Sequence, residues 1–158
     1  MLPAAMLPVM TRFTRCISLL IAVLSVGGVV VSSVSLYHHY GTSQTSYCDF
    51  GESFNCDIVN RSIYSAVFGI PVALIGVIGY FGLLVLATFY RNRAETPKRL
   101  AVASLAGLGF AIYLTYIERF VLAAWCVLCL SSLALIFSIA LLSSLLRLHS
   151  IRQARSIH

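Results

Sequence analysis

Long apolar stretches separated by short polar segments dominate this chain. Four of the stretches are long enough to cross a bilayer as α-helices, which takes roughly 20 residues each. They cover residues 16–37, 63–90, 100–117 and 122–146, and the longest polar interruption is the loop 38–62. The pattern predicts an all-α membrane protein built as a bundle of four transmembrane helices.

The composition agrees with that prediction. Of the 158 residues, 59% are apolar and 10% are charged, whereas soluble domains have about 45–50% apolar and about 25% charged residues. A water-soluble globule is therefore excluded. Little chain remains outside the stretches, so we expect one membrane domain over 16–146, between an N-terminal segment 1–15 and a basic tail 147–158.

The basic residues predict the orientation in the membrane. Nine of the eleven lie before the first stretch, between the second and third, or after the fourth: Arg12, Arg15, Arg91, Arg93, Lys98, Arg99, Arg147, Arg152 and Arg155. By the positive-inside rule, both termini and the loop between the second and third helices are cytoplasmic. Topology thus accounts for the net charge of +6, and no basic soluble face indicates a nucleic-acid partner.

Topology also sorts the five cysteines. Cys48 and Cys56 lie in the long non-cytoplasmic loop, and Cys126 and Cys129 lie near the non-cytoplasmic start of the fourth helix. That side is oxidising in a bacterial periplasm or the endoplasmic reticulum lumen. Cys16 begins the first helix about a bilayer thickness away, beyond the reach of any disulfide, and we expect it to be an apolar packing residue.

Three interpretations of the four non-cytoplasmic cysteines are open. Two structural disulfides are the simplest, and a zinc site is a second possibility, although the spacing and the oxidising side fit zinc poorly and we expect no metal. The third is a redox pair at Cys126 and Cys129. At a helix start the helix dipole stabilises a thiolate, which favours exchange chemistry at a Cys-x-x-Cys pair. A structural disulfide between residues three apart would restrain the unfolded chain little and would therefore stabilise the fold little.

The surroundings of Cys129 suggest an electron acceptor. One turn deeper than Cys126, it would lie near Trp125 and the aromatic start of the second helix, with Tyr64 and Phe68. A quinone suits such a place, because it takes up the two electrons and two protons that disulfide formation releases. The alternative for each aromatic residue is an interfacial belt or core packing.

The order of motifs resembles the vitamin K epoxide reductase family, and its bacterial members most closely, over residues 16–146. The motifs are Cys48-x7-Cys56, Ser62, "YSAVFGIPVALIG" at the start of the second helix, "YLTYIERF" at the end of the third and "CVLC" at Cys126–Cys129. The DsbB-type bacterial disulfide oxidase also carries a CVLC pair, but there the pair precedes the loop cysteines. That enzyme remains the alternative within the same chemistry.

The resemblance implies a four-helix bundle around a quinone, capped by the loop 38–62 with a short helix. It implies a membrane dithiol:quinone oxidoreductase that reoxidises a thioredoxin-like (DsbA-like) protein and so supports disulfide formation in exported proteins. With only a basic tail after residue 146, we expect that partner to be a separate protein. The quinone would be ubiquinone, menaquinone or a vitamin K form, and the site would face the periplasm from a bacterial cytoplasmic membrane.

Residue roles follow from the same resemblance. The partner would attack Cys48 of a Cys48–Cys56 disulfide, Cys56 would attack Cys126, and Cys129 would pass electrons to the quinone. Candidate quinone contacts are Ser62, Ser65, Phe68, Trp125 and Leu133. Ser65 and Leu133 stand where the animal enzymes carry an asparagine and a tyrosine that contact the vitamin, so quinone reduction is expected rather than epoxide reduction. Ser62 has an alternative role as a helix N-cap.

A non-enzymatic transporter or scaffold with structural disulfides is the alternative from another class. A transporter predicts ionisable residues inside its spans, and the interior of the four predicted stretches has none. A scaffold would not depend on Cys126 and Cys129 as reducible thiols. Outside the stretches, Glu118 and Arg119 are expected to form an ion pair, and the adjacent histidines at 38 and 39 are expected to be solvated.

Overall fold

The computed structural model describes residues 6–41, 56–60, 62–67, 69–90 and 95–155. Five α-helices make up most of this part of the chain: α1 Met6–Tyr40, α2 Cys56–Asn60, α3 Val72–Thr88, α4 Thr96–Ile117 and α5 Val127–Arg155. The remaining elements are a 3-10 turn Ile63–Ser65, the short strands β1 Ala66–Val67 and β2 Ile70–Pro71, and a π-helical turn Glu118–Leu122. The two strands pair antiparallel, Ala66 with Pro71 and Val67 with Ile70.

The four long helices pack around a common apolar core. Helix α1 contacts α3 and α5, and α4 contacts the same two helices from the other side. Buried core residues include Ile17, Ile21, Tyr80, Leu83, Leu100, Ile136 and Ile139. The outer surface is also apolar, with exposed Leu19, Val23, Val30, Ile78, Phe81, Ile112, Phe137 and Leu145. Soluble proteins rarely expose so much contiguous apolar surface.

Among the residues that the structure describes, three helical segments are long and apolar enough to cross a membrane, namely Arg12–Tyr40, Thr96–Leu122 and Val127–Arg152, and α3 is a shorter apolar helix. The protein is an integral membrane protein. At 17 residues, α3 is about 25 Å long, slightly less than the bilayer core.

Helix α3 begins at Val72, whereas the apolar pattern predicts a helix from residue 63. The segment ahead of it forms the 3-10 turn and the strand pair instead. Gly69 has a φ of +80°, which glycine adopts readily, and a residue before proline, here Ile70, is disfavoured in the α region. The hairpin therefore interrupts the apolar stretch and leaves a shorter helix.

The other helix ends also differ from the apolar pattern. Helix α1 begins at Met6. Helix α5 continues to Arg155, because the segment 147–155 contains no glycine or proline that would end a helix. Helix α5 begins at Val127 rather than 122, since the π-helical turn and an irregular segment precede it. Cys126 consequently lies directly before the first residue of α5.

Tyr80 joins three of the helices. Its ring packs so closely on α1 that a Cβ added to Gly28 would lie 2.3 Å from a ring carbon. Its hydroxyl group donates a 2.8 Å hydrogen bond to the backbone oxygen of Ser132 on α5. A hydrogen bond of 2.7 Å between the buried hydroxyl groups of Ser104 and Ser143 joins α4 to α5. Small residues and hydroxyl contacts of this kind stabilise helix packing in membranes.

Candidate active site

Cys126 and Cys129 meet at the beginning of α5. The carbonyl oxygen of Cys126 accepts the Leu130 N–H at 3.0 Å, which makes Cys126 the N-cap residue and places Cys129 three residues later, on the same side of the first turn. Both are free thiols. A hydrogen bond from the Cys129 thiol lowers the pKa of Cys126 below its ordinary value, against the opposing effect of burial.

Cys126 also packs against the segment that carries the first cysteine pair. Cys126 and Cys56 are both fully buried, and they belong to one apolar cluster with Val59 and Ala124. Cys56 is disulfide-bonded. Cys48 lies outside the described residues. The fold therefore brings a cysteine of the loop segment into the same buried cluster as the first cysteine of the α5 pair, although they are far apart in sequence.

A cavity of about 350 Å³ opens inside the bundle, beside Cys129. Cys129 lines it, whereas Cys126 does not. The wall is mainly apolar, and its polar members are Ser32, Ser35, His39, Asn60, Ser62, Tyr64, Ser65, Tyr80, Thr115, Glu118 and Ser132. This volume is within the range of small-molecule sites, which are typically about 300–1,000 Å³ and have few polar groups in an apolar wall.

Asn60 presents an unused hydrogen-bond donor at this cavity. Its side-chain Oδ1 accepts a 2.9 Å hydrogen bond from the hydroxyl group of Ser35, whereas Nδ2 is buried without a partner. A buried donor without a partner costs about 1–3 kcal/mol. An acceptor on a bound molecule would remove that cost.

Glu118 presents an unused acceptor at the same cavity. Glu118 is 2% exposed and has Cys126 and Cys129 as neighbours, while its Oε2 atom has no partner. The prediction that Glu118 forms an ion pair with Arg119 is wrong. Within the described part of the chain, the only ion pair joins Arg99 to Glu95.

The π-helical turn explains the position of Glu118. Arg119 lies over the indole ring of Trp125, 5.9 Å from its centre. The side chains of Glu118 and Arg119, although adjacent in sequence, therefore have different surroundings. The turn ends at Ala123, which has a φ of 50°, and the Ala124 N–H donates to the Glu118 carbonyl oxygen at 3.3 Å. This chain reversal brings the end of α4 against the start of α5. Single π-helical turns of this kind are frequent at functional sites.

Only some of the residues predicted to contact a quinone line the cavity. Ser62 and Ser65 line the cavity, and Trp125 and Leu133 do not. Phe68 lies outside the described residues. Ser62 precedes the 3-10 turn without capping it, and its hydroxyl group donates to the Val59 carbonyl oxygen at 2.8 Å.

Sequence reasoning missed three polar residues of this site: Asn60, Glu118 and His39. His39 Nδ1 is 2.6 Å from the Asn60 carbonyl oxygen, and the side chain lines the cavity instead of being solvated. The sequence offered one signal for Glu118, because this glutamate lies in a mainly apolar segment close to a Cys-x-x-Cys pair. Cys16 also differs from expectation, because it is exposed on α1 and not packed in the core.

The sequence matches the Vitamin K epoxide reductase family over residues 19–144. The chain belongs to the vitamin K epoxide reductase family. Members of this family are membrane oxidoreductases that link thiols to quinone-type electron carriers, and they generally work with thioredoxin-like partners. The matched residues include Cys56, Cys126, Cys129 and the whole cavity wall.

The zinc alternative gains no support from the described residues. Among them, no group of three His, Cys, Asp or Glu side chains is arranged to hold a metal ion. The vitamin K epoxide reductase family membership favours redox chemistry at the thiols instead.

Proposed function

We propose that this protein is a membrane dithiol:quinone oxidoreductase that reoxidises a separate thioredoxin-like protein and thereby supports disulfide formation in exported proteins. The observation that carries the proposal is that Cys126 and Cys129, at the start of α5, have different surroundings. Cys126 is buried beside the disulfide-bonded Cys56, and Cys129, one turn later, lines the cavity. One cysteine of the pair thus contacts the loop segment and the other contacts the acceptor site.

The proposed reaction is a series of thiol–disulfide exchanges. A thiolate of the reduced partner attacks Cys48 of a Cys48–Cys56 disulfide, and the released Cys56 thiolate attacks Cys126 of a Cys126–Cys129 disulfide. Each attack forms one sulfur–sulfur bond and breaks another. Resolution of the mixed disulfides leaves Cys126 and Cys129 as thiols. Their reoxidation to a disulfide then releases two electrons and two protons to a quinone substrate.

The cavity fits a quinone headgroup. Its wall is mainly apolar, and the Asn60 Nδ2 donor has no protein partner, which leaves it available to a quinone carbonyl oxygen. The ring of Tyr64 also contributes to the wall. Ser62 and Ser65 are secondary candidates for contact, because their hydroxyl groups already donate to backbone oxygens. The bound quinone supplies the two-electron acceptor chemistry.

The orientation proposed here places the cysteine site on the periplasmic side of a bacterial cytoplasmic membrane, with both termini in the cytoplasm. The positive-inside distribution of Lys and Arg supports it. In this arrangement α3 is the fourth span, with the hairpin before it covering the remaining depth, and the loop 38–62 caps the quinone site. Thiols on that side meet an oxidising compartment.

The test is quinone reduction by the purified full chain, with a reduced thioredoxin-like protein as donor. Ubiquinone, menaquinone and vitamin K quinone are compared as acceptors, followed spectroscopically. Turnover is expected with at least one quinone, and Cys129→Ala is expected to abolish it. Cys16→Ala is the matched control, because it removes an exposed cysteine at the other end of the bundle. No turnover with any quinone, or equal turnover in Cys129→Ala, would overturn the proposal.

A further inference from the structure

Glu118 is a buried carboxyl group that the exchange chemistry leaves unused. It is 2% exposed and lies within the candidate span Thr96–Leu122. Ionisable residues inside membrane spans are costly and mark functional positions. Glu118 lines the cavity together with Cys129, so the residue lies next to both the thiol and the space proposed for the quinone.

The Cys129 thiol lies between two acceptors. Its neighbours are the Cys126 sulfur and the Glu118 carboxyl group, and Glu118 and Cys129 line the same cavity. The Glu118 Oε2 atom is buried and has no hydrogen-bond partner. One oxygen is therefore available for a proton.

The groups around Glu118 leave its protonation state open to change. The titratable neighbours are the Cys126 and Cys129 thiols, and Cys56 on the packed helix α2 is held in a disulfide. The adjacent Arg119 is directed to an aromatic ring and forms no ion pair with Glu118. A carboxyl group held by a cation would resist protonation, and in the described chain this one is not so held.

We propose that Glu118 is the proton carrier between Cys129 and the quinone. This inference rests on the proposed quinone reduction. The Glu118 carboxylate accepts the proton of the Cys129 thiol, which produces the thiolate. As Cys126 and Cys129 form their disulfide, two electrons pass to the quinone, and Glu118 returns its proton to a quinone oxygen. Cys126 has released its proton to solvent as a thiolate, and the second proton returns to the quinone from solvent, so one quinone and two thiols give one quinol and one disulfide.

Glu118→Gln tests this role, because glutamine keeps the size and the hydrogen bonding but cannot carry a proton. General acid–base groups typically contribute about 10²–10⁴-fold to rate, and we expect kcat for quinone reduction to fall at least about 100-fold. The remaining rate should rise with pH, because Cys129 must then lose its proton to solvent. Glu118→Asp keeps the carboxyl group and should retain the wild-type pH profile at a lower rate.

A second readout separates proton transfer from structural damage. Alkylation of Cys126 by N-ethylmaleimide should be at least as fast in Glu118→Gln as in the wild type, since removal of a negative neighbour favours the Cys126 thiolate. Glu95→Gln is the matched control for charge, because Glu95 is exposed and pairs with Arg99. It should keep the wild-type rate and pH profile.

The outcomes separate this inference from the proposed function. Wild-type turnover with an unchanged rate and pH profile in Glu118→Gln would overturn the proton-carrier role alone. Slow alkylation of Cys126 in the same variant, with equal losses in Glu118→Asp, would also overturn it in favour of a structural role. A wild-type chain that reduces no quinone would overturn both proposals together.

Discussion

The hydroxyl group of Ser35 on α1 donates a 2.9 Å hydrogen bond to the side-chain oxygen of Asn60 on α2. This contact orients the amide so that its Nδ2 group is buried without a partner, on a residue that lines the cavity. The short helix α2, which begins at Cys56, is thereby joined to the long first helix. The same hydrogen bond fixes the orientation of the Asn60 amide.

Asn60→Leu should raise KM for the quinone with little change in kcat. The loss of one hydrogen bond of about 1 kcal/mol corresponds to about a fivefold change. Ser35→Ala, which releases the amide but keeps it, should have a smaller effect, and Ser33→Ala on the exposed side of α1 should have none. Steady-state kinetics with a short-chain ubiquinone provides the measurement. An unchanged KM in Asn60→Leu would show that this donor does not contact the quinone.

Cys48→Ala should accumulate a disulfide between Cys56 and Cys126. The two side chains are buried in one cluster, and without Cys48 the mixed disulfide cannot be resolved from the loop side. Mass spectrometry of non-reduced peptides identifies the bond. Cys48→Ala combined with Cys126→Ala is the control and should lack it. A linkage between Cys56 and Cys129 instead would contradict the proposed order of exchange.

The reactivity of Cys126 should depend on Cys129. The thiol of Cys129 lowers the pKa of Cys126, so Cys126 stays a thiolate at pH values where an ordinary thiol is protonated, and its alkylation slows only as the pH falls through that lowered pKa. Replacement of Cys129 by alanine removes the donor and should move the pH midpoint of alkylation upward. The midpoint is measured in a Cys16→Ala background, so that one exposed thiol is removed. A midpoint that stays constant would rule out the contact.

Contacts of the Tyr80 side chain should dominate helix packing around the cavity. Tyr80→Phe removes its hydrogen bond to Ser132 and should lower stability by about 1 kcal/mol. Gly28→Ala should cost about 1–3 kcal/mol, because the added methyl group has no room beside the ring. Gly79→Ala on the same helix as Tyr80 is the control, since nothing lies within 4 Å of its added Cβ.

Thermal unfolding in detergent measures these three variants. Gly79→Ala should leave the midpoint unchanged or raise it, because alanine is favoured over glycine in a helix by up to about 1 kcal/mol. Equal destabilisation in Gly28→Ala and Gly79→Ala would indicate that the close approach of α1 to Tyr80 is not a feature of the protein in detergent.

The sequence by itself determined the membrane character of the protein, the approximate positions of its long helices and the order of its cysteines. These properties are local, because a run of apolar residues is as evident in the unfolded chain as in the bundle. The motif order was also enough to identify the vitamin K epoxide reductase family, which the match over residues 19–144 confirms. The break before α3 was harder to predict, since Gly69 and Pro71 act within an otherwise apolar stretch.

Only the tertiary structure decided which side chains meet. Cys56 and Cys126 share a cluster, and Asn60 and Glu118 share a cavity wall, although long stretches of sequence separate the members of each pair. Whether a polar atom is left without a partner depends on all the neighbours that packing brings to it, and hydropathy carries no information about them. For that reason a glutamate expected to form an ion pair at a turn is instead a buried carboxyl group beside Cys129.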